Sequence, residues 1–191
     1  INNPGSGFVS GTGKFTGNVT NSIVNVNNNR SYGTNGGFWV VTGSTMNVND
    51  NGGHGFSVTT LAITNSTVHG DRNGYQGIHS TGQFTAVASV VSASENRAAL
   101  GNSAGLYLGN ATHSVDAATT LTVNGNLGPG LHVNAGESGS LTIAQGAKVE
   151  IIDNRARSVE AYRSGGGVFV RSGTVVVPTD AAIYNNRAVV A

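Results

Sequence analysis

The 191-residue sequence contains no cysteine, three prolines, and only 6% aromatic and 10% charged residues. Without cysteine there can be no disulfides, and thiol usage says nothing about compartment. So little charge, with so few helix formers, excludes a charged disordered chain and a helical bundle. A net charge of +1 gives no reason to expect nucleic acid as a partner, nor attraction to an anionic membrane. The longest apolar runs, such as Val175-Val176-Val177, are far too short for a transmembrane helix, so direct membrane insertion is not expected. What the chain has in abundance is glycine, 29 residues of it, with Val, Thr, Asn and Ser, the vocabulary of short strands joined by tight turns.

One stretch is written several times. Asn51 to Val58 reads N-G-G-H-G-F-S-V, Asn73 to Ser80 reads N-G-Y-Q-G-I-H-S, and Asn126 to Val133 reads N-L-G-P-G-L-H-V. Looser copies lengthen the middle: Asn29 to Gly37-Phe38-Trp39-Val40, Asn96 to Gly105-Leu106-Tyr107-Leu108, and Asn154 to Gly167-Val168-Phe169-Val170. Before each asparagine lies a short alternating segment, which turns Val26, Val48, Val123, Ile151 and Ile183 inward. Repetition at this period announces a solenoid. The glycines at 37, 55, 77, 105, 130 and 167 are 18, 22, 28, 25 and 37 residues apart, too uneven for a hexapeptide helix. They suit an all-β, right-handed parallel β-helix, with about 20–25 residues per turn and some arms swelling into loops. Residues 1–191 are therefore read as one solenoid domain of seven or eight rungs. The polar stretch from Arg155 to Ser164 is read as a surface loop. Because the chain starts at Ile1 and closes on a repeat motif, it is expected to be a piece of a longer protein with further rungs.

Stacked rungs turn the sequence into columns. The asparagines Asn29, Asn51, Asn73, Asn96, Asn126, Asn154 and Asn186 form a structural ladder in which amides bond to amides one rung away. Beside them run Asp50, Arg72, Glu95 and Asp153, and then Arg97, Arg155 and Arg187 in three copies of N-R-A; ion-pair ladders are the simplest reading. A catalytic alternative places Asp50, Asp71 and Arg72 together, since lyases and hydrolases on β-helices need clustered carboxylates with a cation.

A third column follows the glycine. With Phe38, Phe56, Ile78, Leu106, Leu131 and Val168 inward, alternation turns Trp39, Ser57, His79, Tyr107, His132 and Phe169 outward. The rings Trp39, His79, Tyr107, His132 and Phe169 are the candidate ligand-binding stripe, suited to sugar faces or a partner protein. No metal site is expected from His79 and His132, because Tyr107 separates them by two rungs, roughly 10 Å. No cofactor motif is read in the chain.

Gly165-Gly166-Gly167-Val168, Ile151-Ile152-Asp153-Asn154 and Ile183-Tyr184-Asn185-Asn186 resemble the G-G-A-[ILV] and F-x-x-N motifs of polymorphic outer-membrane-protein repeats. More broadly, the chain resembles the pectate-lyase-like β-helix superfamily, particularly bacterial surface adhesins and autotransporter passengers. The resemblance implies an extracellular, cell-surface rod that attaches to a host glycan or protein. It carries over no catalytic residue. A polysaccharide lyase or glycoside hydrolase, and a structural stalk displaying another domain, remain the alternatives.

Overall fold

A computed structural model describes residues 4–9, 16–97, 104–136, 139–158 and 166–190. The short β-branched segments wind into a parallel β-solenoid, with no helix among the described residues. Each circuit contributes one strand to each of three sheets, and each sheet holds seven parallel strands, five of them flanked on both sides. The first sheet contains Phe8–Val9, Thr34–Asn35, Phe56–Val58, Ile78–Ser80, Leu106–Leu108, Leu131–Asn134 and Val168–Ser172. The second contains Thr16–Thr20, Phe38–Thr42, Thr60–Thr64, Phe84–Val87, Thr112–Val115, Ser140–Ile143 and Thr174–Val176. The third contains Ile23–Asn25, Thr45–Asn47, Thr67–His69, Val90–Ser92, Thr120–Thr122, Lys148–Ile152 and Ala182–Tyr184.

Alternation along every strand sends one set of side chains into the lumen, where like stacks on like at the roughly 4.8 Å inter-strand spacing. Val26, Val48, Val123 and Ile151 are fully buried as expected, whereas Ile183, in register with Ile151, is 38% exposed on the last rung. Phe56, Ile78, Leu106 and Leu131 fill the lumen from the first sheet. Each such side chain contributes about 1.5–3 kcal/mol by leaving water.

Trp39 overturns one expectation. It lies in the second sheet, between Gly17 and Leu61, and is 3% exposed, while Phe38 is 43% exposed. The cause is the frame of the repeat. Gly33, not Gly37, is the partner of Gly55, since Thr34 pairs with Phe56 and Asn35 with Ser57. Phe38–Thr42 therefore belongs to the next sheet, where alternation turns the indole inward. Its ring takes the space left by Gly17, at which a Cβ would lie 2.6 Å from it. Phe8 meets it edge-on at 5.7 Å, and its Nε1 donates to the Gly36 carbonyl at 3.2 Å.

The stretch expected to be a surface loop begins as a strand. Arg155–Ser158 pairs in parallel with Arg187–Val190 as a small fourth sheet, and 159–165 lie outside the described residues.

Candidate functional site

The asparagine ladder is continuous. Each carboxamide oxygen accepts from both the backbone N–H and the Nδ2 of the preceding asparagine, from Asn29 on Asn51 to Asn154 on Asn186, at 2.8–3.2 Å. The Nδ2 groups of Asn51, Asn73, Asn126, Asn154 and Asn186 also donate to backbone carbonyls one rung back, such as Val26 and Val48. Asn29 through Asn154 are at most 2% exposed, so these bonds satisfy amides that water cannot reach. The recurring glycine follows from the ladder. A Cβ at Gly33, Gly55, Gly77, Gly105, Gly130 or Gly167 would lie 2.4–2.8 Å from the Nδ2 of the next asparagine.

Two further ladders went unread in the sequence. Ser44, Ser66, Ser89 and Thr119 accept, through their hydroxyls, the N–H of Ser22, Ser44, Ser66 and Ser89 respectively, at 3.1–3.2 Å. Asn27, Asn49, Asp71, Ser94 and Asn124 accept the N–H one rung ahead, with the opposite polarity. The signal for the first was a serine preceded by Asn, Gly or Ala at steps of 22, 22 and 23 residues, since Asn21, Gly43, Asn65 and Ala88 all adopt positive φ.

The charged column has the same kind of explanation. Asn28, Asp50, Arg72, Glu95, Gly125, Asp153 and Asn185 all have φ between 54° and 66°, the left-handed region that Gly, Asn and Asp tolerate best. Asp50 and Arg72 form a two-pronged pair, Nε to Oδ1 and Nη2 to Oδ2, both 2.9 Å. Asp71 is turned away into the serine-asparagine ladder. It accepts from the Ser92 hydroxyl at 2.6 Å and the Ser94 N–H at 2.8 Å, with His69 3.4 Å away. Burial works to raise the Asp71 carboxyl, but bonds from His69, Ser92 and Ser94 outweigh it and hold it below its usual value. A general acid needs the reverse shift. The structure thus brings Asp50 to Arg72 but commits Asp71 to the scaffold.

Of the five stripe residues, His79, Tyr107, His132 and Phe169 share one column on the outward side of the first sheet. Their centroids are 4.8 Å apart at each step, all edge-to-face. His132 is nevertheless 1% exposed, closed between Tyr107 and Phe169, while the other three are half-buried. Asn35 and Ser57 occupy the earlier places in this column. They are too small to extend it, and His54 takes over from the glycine corner. It stacks on His79 at 5.3 Å and on Tyr32 at 5.3 Å, with Tyr75 edge-on at 4.7 Å. Burial lowers the His54 pKa to about 4, helped by the neighbouring His79 and opposed by a hydrogen bond with Gln76. Burial also lowers His79, so at neutral pH His54 and His79 present uncharged rings. His113, by contrast, is a lumen residue. Its Nδ1 accepts from the Phe84 N–H at 3.1 Å and its Nε2 donates to the Gly109 carbonyl at 2.9 Å.

Six rings therefore run in sequence from Tyr32 to Phe169. The run opens at its N-terminal end into a hollow of about 370 Å³ lined by Arg30, Ser31, Tyr32, Gly52, Gly53, His54 and Tyr75. Tyr75 is 42% exposed. Among the described residues, no group of three or more His, Cys, Asp or Glu is placed to hold a metal ion.

Fold and surface together define a parallel β-solenoid with a ring-lined outer face. No family model, curated protein or solved structure matches the chain.

Proposed function

We propose that this chain is the binding portion of a bacterial cell-surface or secreted adhesin, and that it takes a host glycan on the outer face of the first sheet. The observation that carries the reading is the open end of the ring run. Tyr32 and His54 lie nearly parallel, 5° apart, and Tyr75 stands exposed beside them. The exposed Tyr75 ring, backed by the Tyr32–His54 stack, suits the apolar face of a sugar ring, and Arg30 and Ser31 at the rim supply donors. The resemblance to surface adhesins supports an extracellular setting. The contact region moves from the stripe as first read to Tyr32, His54 and Tyr75, because Trp39 is in the lumen and His132 is closed.

The test is a neutral-glycan array probed with the chain and with Tyr75→Ala. Binding that falls at least about tenfold in a variant of unchanged melting temperature supports the reading, as expected for an exposed aromatic anchor. Binding indifferent to Tyr75→Ala, or new chain ends on a bound polysaccharide, overturns it. The second outcome would restore the hydrolase or lyase alternative.

A further inference from the structure

Among the described residues, the three N-R-A copies find no carboxylate. Arg97, Arg155 and Arg187 are exposed, and among the described residues the acid–base pairs are His69–Asp71, Arg72–Asp50 and Lys148–Glu150. Glu95 and Asp153 precede two of these arginines by two residues, on the left-handed turn, yet neither pairs with them. The arginines share one column. The backbone N–H groups of Arg97, Leu127, Arg155 and Arg187 each donate to the asparagine column one rung back, at Asn73, Asn96, Asn126 and Asn154, at 2.8–2.9 Å. Arg155 and Arg187 are directly in register.

Like charges placed opposite each other on neighbouring strands repel. Here, among the described residues, no ion pair offsets that repulsion, and the backbone is held by the ladder. We propose that this column is a binding site for an acidic polysaccharide, with guanidinium groups meeting successive sulfate or carboxylate groups. The spacings are roughly 4.8 Å between Arg155 and Arg187, and roughly 10 Å from Arg97 to Arg155 across Leu127. Guanidinium forks match both anions in two-pronged geometry. The site is a narrow line on a chain of net charge +1, not the broad basic face that a nucleic-acid duplex requires. Leu127, between Arg97 and Arg155 in the column, is 43% exposed but offers no ring on which a base of a single strand could stack. The same column begins beside the hollow, whose lining includes Arg30 and Gly52, but Arg155 and Arg187 lie three and four rungs beyond the rung of Tyr75, so the proposal stands whether or not that hollow binds sugar.

The experiment measures affinity of the chain for immobilised heparin, a sulfated uronic-acid polysaccharide, across a salt series, with single-stranded oligonucleotide as the competing polyanion. The expected result is salt-sensitive heparin binding that weakens at least about tenfold, with a shallower salt dependence, in Arg155→Gln/Arg187→Gln. Arg97→Gln should give a smaller loss, the double Arg→Lys variant should retain part of the binding, and Tyr75→Ala should stay within about twofold of wild type. No retention at low salt overturns the proposal, as does unchanged affinity in a double variant of normal melting temperature. Oligonucleotide binding as tight as heparin binding overturns the choice of polysaccharide.

Discussion

The first rungs and the last are built on the same ladder but differ in what they hang on it. Asparagine steps of 22, 22 and 23 residues carry the ladder from Asn29 to Asn96, and steps of 30, 28 and 32 carry it on to Asn186. In the short rungs, two-residue corners join the second sheet to the third, and the serine hydroxyls of Ser22, Ser44, Ser66 and Ser89 line them. In the longer rungs the corner widens into β-turns, closed by Thr119 N–H to the Asp116 carbonyl and Ala147 N–H to the Ala144 carbonyl. The hydroxyl ladder ends at Thr119. Other added residues enter between asparagine and glycine, four positions apart at Asn73 and Gly77 but thirteen at Asn154 and Gly167. The ladder is thus indifferent to arm length, because its bonds join residues of adjacent rungs and ignore the path between them. The rings differ accordingly. His132 in the long rungs is closed, while Tyr75 in the short rungs is open.

If the ladder is equal in both halves, Asn73→Ala and Asn126→Ala should cost the same. Each removes an acceptor for two donors and leaves buried groups unpaired, which predicts a loss of about 3–5 kcal/mol in urea unfolding. A much smaller loss at Asn126 would mean that the longer rungs carry their own support. Trp39→Ala should cost about 3–5 kcal/mol by opening a cavity in the short-rung lumen, against less than about 1 kcal/mol for Phe38→Ala, read by the same melts. Equal costs would return the indole to the surface.

Acid should weaken the short rungs first. His54 has a folded pKa of about 4 against an ordinary 6.5, so the unfolded chain binds the proton more readily. The stability it contributes is present above about pH 6.5 and is lost as pH falls towards about 4. After allowance for partial exposure the loss is about 1–2 kcal/mol. His54→Phe should flatten the pH dependence of the melting temperature between those limits; an unchanged slope would place the effect elsewhere. The smallest effect belongs to Arg72→Ala. Its pair with Asp50 is exposed, and less than about 1 kcal/mol should be lost, further reduced by salt.

Much of the frame was legible because the ladder forces residue types at fixed places. Asparagine supplies both a donor and an acceptor, and the glycine is required where the next amide presses on the backbone. The error at Trp39 came from following hydrophobic content over spacing. The constant 22-residue step from Gly55 leads back to Gly33, but Thr34 and Asn35 do not look like a strand with a buried face, and Phe38-Trp39-Val40 does. The ring run was legible in part. Four of its rings lie in one column, while Tyr32 and His54 join it from another, through a stacking geometry that spacing does not encode.

The sequence by itself determined the parallel stacking, the inward faces outside Phe38–Thr42, and the ladder, since each depends on a residue type recurring at a period. Only the tertiary structure decided which rings are open and which closed, and which charges are paired. It alone determined that Asp71 serves the scaffold while, among the described residues, Arg155 and Arg187 pair with no carboxylate. Those outcomes depend on where side chains from different rungs meet, and a one-dimensional pattern carries a column's members but not the direction in which each of them reaches.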